Sequence, residues 1–133
     1  NFYSINNEFY IVDAPGYGYH KNSLEADKLF SKMMNEYIKE RDNVEAFVLL
    51  VDSRHKLSDD DISCFNTLIE SNKEIIIVAT KADKLNQKMK SDYKKNIVDV
   101  FKEVGDIKIF LTSSQNKTNI EELVNYIELL MGV

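Results

Sequence analysis

The chain has 133 residues, 44% hydrophobic and 29% charged, the balance of a single soluble domain with enough apolar side chains to bury a continuous core. Its formal net charge of -5 argues against a protein that coats nucleic acid by bulk electrostatics, although a local basic face can still dock on a ribonucleoprotein. One cysteine, Cys64, excludes an internal disulfide, and two histidines beside it give no ligand cluster at zinc spacing, so a reducing, cytoplasmic setting is expected.

In chain order, Asn1 opens neither a signal sequence nor a chain with its initiating methionine, so the sequence is expected to begin partway through a longer protein. Phe2 to Ile5 and Phe9 to Asp13 are short β-branched or aromatic runs around Asn6-Asn7-Glu8, which predicts an antiparallel hairpin. After the loop Ala14 to Asn22, Ser23 caps a predicted helix whose Leu24, Leu29, Phe30, Met33, Met34, Tyr37 and Ile38 form one apolar stripe. Val44 to Val51 is a nearly unbroken apolar run ending in Asp52, the pattern of a strand covered on both faces. Ser58 and the acidic Asp59 to Asp61 open a helix reaching about Ser71. Glu74 to Ala79 is the next buried strand, and its Ile75 to Ala79 core, like the other apolar runs, is far short of a membrane span. Lys90 to Val104 is an amphipathic helix closed by Gly105, Ile107 to Leu111 a strand, and Asn119 to Met131 a final helix.

A hairpin followed by alternating helices and strands predicts an α/β fold in three layers, with a mainly parallel sheet between helices. In such sheets ligands bind where strands end, which directs attention to Asp13, Asp52, Thr80 and Thr112. Asp13-Ala14-Pro15-Gly16 sets a carboxylate at a strand end and a glycine whose backbone N–H can approach a phosphate; in isolation an ordinary Asp-Pro-Gly turn is the better explanation. Thr80-Lys81-Ala82-Asp83 is more informative. A guanine ring presents adjacent N1 and N2 donors that one carboxylate, Asp83, accepts together, whereas adenine leaves that carboxylate desolvated and unpaired. The Lys81 stem can lie across the base with its ammonium solvated, and the Thr80 hydroxyl can brace neighbouring loops. Without the buried strand before it, this loop would read as a solvated Lys and Asp pair. Thr112-Ser113-Ser114 either offers an N–H to the guanine O6 or caps a helix. Asp52-Ser53-Arg54-His55 invites a catalytic reading, but neighbours in a loop rarely converge on one point, and a structural role is favoured.

These residues carry a resemblance. Asn1-Phe2-Tyr3, Asp13-Ala14-Pro15-Gly16-Tyr17-Gly18-Tyr19, Val51-Asp52-Ser53-Arg54-His55 and Ala79-Thr80-Lys81-Ala82-Asp83-Lys84 resemble, in order and spacing, the signatures of the EngB (YsxC/YihA-type) ribosome-biogenesis GTP-binding proteins, within the translation-factor-related GTPases. Thr80, where most GTPases carry Asn, is similar to that family's usual residue. The resemblance implies a P-loop NTPase-like G domain over residues 1–133, from switch II to the C-terminal helix, and a monomeric cytoplasmic (in a eukaryote, organellar) GTP/GDP switch aiding large ribosomal subunit assembly and cell division. It implies that Asp13 holds Mg2+ through water, Gly16 senses the γ-phosphate, and Thr80, Lys81, Asp83 and Lys84 hold the base with Thr112, Ser113 and Ser114 beside it. Tyr17 stands where many GTPases place a water-orienting glutamine, so slow hydrolysis is expected. Tyr17 and Tyr19 belong either to a γ-phosphate-ordered loop or to packing on the next helix. His20-Lys21 and the six lysines between Lys81 and Lys95 could contact ribosomal RNA, with a solvated helix face as the default.

The G-x-x-x-x-G-K-[ST] loop of a G domain does not occur in the chain. The resemblance places it upstream of Asn1, with a strand between the Phe9-to-Asp13 and Val44-to-Val51 strands. Two alternatives compete: a phosphoacceptor receiver domain, disfavoured by the opening hairpin and by Ala82 in place of proline, and a nucleotide-free scaffold derived from a G domain. A polypeptide confined to these 133 residues is expected not to bind GTP, and calorimetric binding at micromolar affinity would contradict this.

Overall fold

The computed structural model describes residues 2–5, 9–12, 28, 32, 35–36, 44–101 and 107–133. Strand β1 (Phe2–Ile5) pairs antiparallel with β2 (Phe9–Val12), Phe2 opposite Val12 and Ile5 opposite Phe9, which is the hairpin the sequence predicts. Its Asn6-Asn7-Glu8 turn and Asp13 lie outside the described residues. Lys28, Lys32, Asn35 and Glu36 are helical and exposed, the polar complement of the stripe predicted between Leu24 and Ile38, whose own residues are outside those described.

A second sheet holds β3 (Ala46–Asp52), β4 (Glu74–Thr80) and β5 (Lys108–Leu111), all parallel, in the order β3-β4-β5. Parallel neighbours need crossovers, and helices supply both. Helix α1 (Asp59–Ile69) joins β3 to β4, and α2 (Gln87–Val100) lies between β4 and β5. Ser58 starts α1 with a capping box: its Oγ accepts from the Asp61 N–H at 3.0 Å while its own N–H donates to Asp61 Oδ2 at 2.9 Å. Asp59, Asp60 and Asp61 also suit the positive end of the helix dipole. The second crossover helix begins earlier than the expected Lys90, because Asn86 accepts from the Met89 N–H and caps it. Its expected closure at Gly105 falls outside the described residues.

β4 is sealed on both faces. Ile77 and Ala79 join Leu49, Val51, Cys64, Phe65, Leu68, Ile97, Phe101 and Leu111 in the main core under α1 and α2. Phe65 and Phe101 lie with ring centroids 3.9 Å apart, so the two crossover helices meet through aromatic contact. The alternate residues Ile76 and Val78 face the opposite way and are also buried. That second face is covered by α3 (Ile120–Met131). Tyr126 of α3 stacks against Phe110, the register partner of Val78, with centroids 5.7 Å apart. Its hydroxyl donates to Glu74, and the Lys108 ammonium lies 5.3 Å from its ring. The helix ends at Gly132 in the left-handed region, where the Val133 N–H returns to Glu128 and the Gly132 N–H to Leu129, a Schellman closure. The three layers are therefore α1 and α2, the sheet, and α3.

One expectation needs correction. The Val44-to-Val51 run predicts a strand covered on both faces, yet Val48 is 47% and Leu50 64% exposed. They share a face with Ile76 and Val78, their register partners, but β3 is an edge strand of the described sheet, and Tyr126 of α3 meets β4 and β5 at Glu74 and Phe110. An apolar run alone does not report how fully a strand is covered.

Burial of the Cys64 thiol, with Asp61 nearby, pushes its pKa up to about 12, so it stays protonated within the core. Phe65→Ala is expected to destabilise the fold by about 3–5 kcal/mol, since Phe65 is fully enclosed at the helix junction. Urea denaturation of the natural protein checks this, and a loss under about 1 kcal/mol would place the junction outside the main core.

Candidate functional site

The three parallel strands end almost level. Asp52 of β3 is the register partner of Thr80 of β4, and β5 ends one row lower, with Leu111 opposite Ala79. Backbone bonds then carry the ladder beyond the strands: the Ser53 N–H donates to the Thr80 carbonyl at 3.0 Å, the Thr112 N–H to Ala79 at 2.8 Å, and the Ala82 N–H to Thr112 at 2.9 Å. The Thr80 hydroxyl donates to the Val51 carbonyl at 3.2 Å, the bracing role expected of it. After Thr80 the chain turns sharply. Lys81 takes a left-handed conformation, φ 62° and ψ 32°, and a single 3₁₀ turn spans Ala82–Lys84. A lysine there carries local strain of about 1–3 kcal/mol, and it persists because buried Ala82 and the bonds around it fix the turn.

Asp83 is aimed by Ser113. The Ser113 Oγ, fully buried, donates to Asp83 Oδ1 at 2.8 Å and accepts from the Gln115 and Asn116 N–H groups at 3.1 and 3.3 Å. This bond, ahead of the Lys84 charge, holds the Asp83 carboxyl below its ordinary value. Among the described residues Asp83 Oδ2 meets Lys84 Nζ, at 3.8 Å, and no closer donor, so a carboxylate with open lone pairs stands at the sheet end. That geometry accepts two adjacent N–H donors.

The helix-cap reading of Thr112-Ser113-Ser114 does not hold, since α3 begins only at Ile120 and Ser113 closes a loop instead. Asn119 precedes that helix in the left-handed region and donates through its side chain to the Leu111 carbonyl at 2.7 Å, tying the helix start to the end of β5. The Ser113 N–H is taken by Thr118, and those of Gln115 and Asn116 by Ser113 Oγ. Among the described residues, the Ser114 N–H is one of the loop amides for which no acceptor is found.

Of the expected site residues, Thr80, Lys81, Asp83, Lys84, Thr112, Ser113 and Ser114 come together at the ends of β4 and β5. Asp13 and Gly16, with Tyr17, Tyr19, His20 and Lys21, lie outside the described residues. No three His, Cys, Asp or Glu side chains cluster as a metal site among those described. Nor is any described helix long and apolar enough to cross a membrane.

The Asp52 group behaves differently from its neighbours in sequence. Arg54 Nε and Nη2 grip the two Asp52 oxygens at 3.1 and 2.8 Å, the Arg54 N–H adds a third bond at 2.9 Å, and Lys81 Nζ lies 3.3 Å from Oδ2. The Arg54 bonds hold the Asp52 carboxyl well below the usual carboxylate range. Ser53 is buried with no partner for its hydroxyl among the described residues, and His55 is exposed. Carboxylate, hydroxyl and imidazole therefore form no relay, as the structural reading expects. The Lys81 ammonium, expected to be simply solvated, is paired.

Residues 1–81 match the family model of the 50S ribosome-binding GTPases. The chain belongs to that family. Within it, the expected EngB kinship is borne out. The chain is 43% identical over 129 residues to a probable GTP-binding protein EngB of Clostridium kluyveri, covering 96% of this chain and 65% of that one. It is 41% identical over 125 residues to its Clostridium botulinum counterpart, covering 94% and 63%. The chain thus spans less than two thirds of the length of these relatives. A crystal structure of a probable GTP-binding protein EngB shares its fold, with a TM-score of 0.72 over 92% of this chain and 77% of that chain at 19% identity. Membership in this GTPase family removes the receiver alternative.

Ser113→Ala removes the bond to Asp83 and strands the loop amides of Gln115 and Asn116, for an expected loss of about 1–3 kcal/mol. The sign with pH follows from the lowered Asp83 pKa: the contact's stabilisation is full above the unfolded value near 3.8 and is lost as pH falls through the lower folded value. Melting curves between pH 7 and about pH 2.5 should show a smaller acid-side decline in Ser113→Ala than in the natural protein.

Proposed function

We propose that this chain is the base-selecting part of a guanine-nucleotide switch. The observation that supports it is the Asp83 carboxylate, kept ionised by buried Ser113 and open on its outer oxygen. Guanine N1–H and N2–H meet that carboxylate, the Ser114 N–H meets O6, and the Lys81 stem lies along the ring. Adenine offers none of the donor pair and leaves the carboxylate unpaired, which is the basis of selection.

The phosphate end is assigned to Asp13 and Gly16, on the strength of the family resemblance. Asp13 would hold a water-bound Mg2+, which supplies charge neutralisation at the phosphates, and Gly16 would give its N–H to the γ-phosphate. Residues 1–133 then form the part of a G domain that runs from switch II to the C-terminal helix. GTP hydrolysis is slow in this reading, because the Tyr17 phenol cannot orient a water as a glutamine does.

The partner proposed is a large ribosomal subunit precursor, in keeping with a family of 50S ribosome-binding GTPases. Exposed Lys88, Lys94 and Lys95 on α2 offer a basic face for ribosomal RNA. A monomer in the cytoplasm, or in an organellar matrix, suits such a role.

The natural protein containing this sequence should bind GDP far more tightly than ADP, and Asp83→Asn should erase that preference, a drop of at least about a hundredfold in selectivity. Calorimetric titration with both nucleotides decides it. Absence of guanine binding in the natural protein would favour the nucleotide-free scaffold, and unchanged selectivity in Asp83→Asn would move base selection elsewhere.

A further inference from the structure

The Asp52 contact reaches across two strands to the base loop, and its geometry is that of a fixed anchor. Three donors come from Arg54, two of them from a planar guanidinium fork lying along both carboxylate oxygens. These bonds fix the orientation of the carboxylate plane. β3 and β4 are also locked at this height by the Asp52 and Thr80 register, by the Ser53 N–H on the Thr80 carbonyl and by the Thr80 hydroxyl on Val51. Lys81 leaves the same row in a left-handed turn and brings its ammonium to 3.3 Å from Asp52 Oδ2.

We infer that Asp52 is a positioning residue for Lys81: clamped by Arg54, it tethers the lysine ammonium and so lays the aliphatic stem where a guanine ring stacks beside Asp83. This rests on the guanine reading of the Asp83 loop. As a source of fold stability the pair counts for little, because the Lys81 side chain is 54% exposed and water screens the charges. Its value lies in order. A free lysine stem samples many rotamers, and holding it against a base costs entropy when ligand binds; a tethered stem has lost that freedom beforehand.

The test is a double-mutant cycle on the natural protein, with GDP and IDP as probes and melting temperature as the check on folding. Asp52→Asn removes the anchor's charge, and Lys81→Met keeps the stem but removes the ammonium. Each should weaken GDP binding by about threefold to tenfold, and the double variant by no more than the weaker-binding single variant. IDP lacks the N2 donor but keeps the ring face, so both variants should lose the same factor on IDP as on GDP. Asp83→Asn should instead penalise GDP more. If Asp52→Asn does not fold, Arg54→Ala takes its place in the cycle, because a loosened carboxylate should give the same non-additive loss with Lys81→Met. GDP affinity within twofold of the natural protein in a folded Asp52 variant, or losses that multiply in the double variant, overturns the inference while leaving the guanine reading intact. A natural protein that does not prefer GDP over ADP overturns both.

Discussion

Ile76, Ile77, Val78 and Ala79 are sealed from solvent on both faces of β4, and a strand held in that way has little freedom to slide. A shift by one residue would exchange the side chains facing α1 and α2 with those facing α3. The same constraint fixes where Thr80 ends the strand and Lys81 begins the turn. Around it, β3 supplies Asp52 and β5 supplies Thr112 and Ser113, so the loop at the end of β4 is held from both sides.

Order at this end is achieved by bonds that connect loops across strands. Thr80 reaches β3, Ala82 reaches Thr112, Ser113 reaches Asp83 and Asn119 reaches Leu111. Each bond links residues that are remote in the chain or on different elements. The strain of Lys81 in a left-handed turn is tolerable only because those partners over-determine its surroundings. The opposite end of the sheet is held by other means: Tyr126 packs on Phe110, bonds to Glu74 and lies beneath Lys108. Burial and the Glu74 bond push the Tyr126 phenol up to about 12, so it keeps the proton it donates throughout the physiological range.

The parts legible in the sequence are those set by local chemistry. The Ser58 capping box, the hairpin pairing, the parallel strands and the order of loops all follow from residue type and spacing. The Asn86 cap is equally local, and it starts α2 at Gln87 rather than the expected Lys90. Other features depend on distance in space. The exposure of Val48 and Leu50 goes with the edge position of β3 in the described sheet, which no apolar run encodes. Residue type alone does not distinguish Ser113 from its polar loop neighbours; its bond to Asp83, thirty positions earlier, does. Asp52 and Arg54 do converge although they are close neighbours, because the turn after β3 lets a guanidinium fold back onto the carboxylate before it.

The level ends of the three strands carry a consequence for how such a chain can change. One residue of strand advances the backbone by about 3.3 Å, while a hydrogen bond tolerates only a few tenths of an ångström. Adding or deleting one residue within β3, β4 or β5 would therefore lift one loop out of reach of the others. Apolar residues of the three strands can be exchanged for others of similar size, but their length cannot drift. Strand length is the measure that keeps the loops at this end within reach of one another.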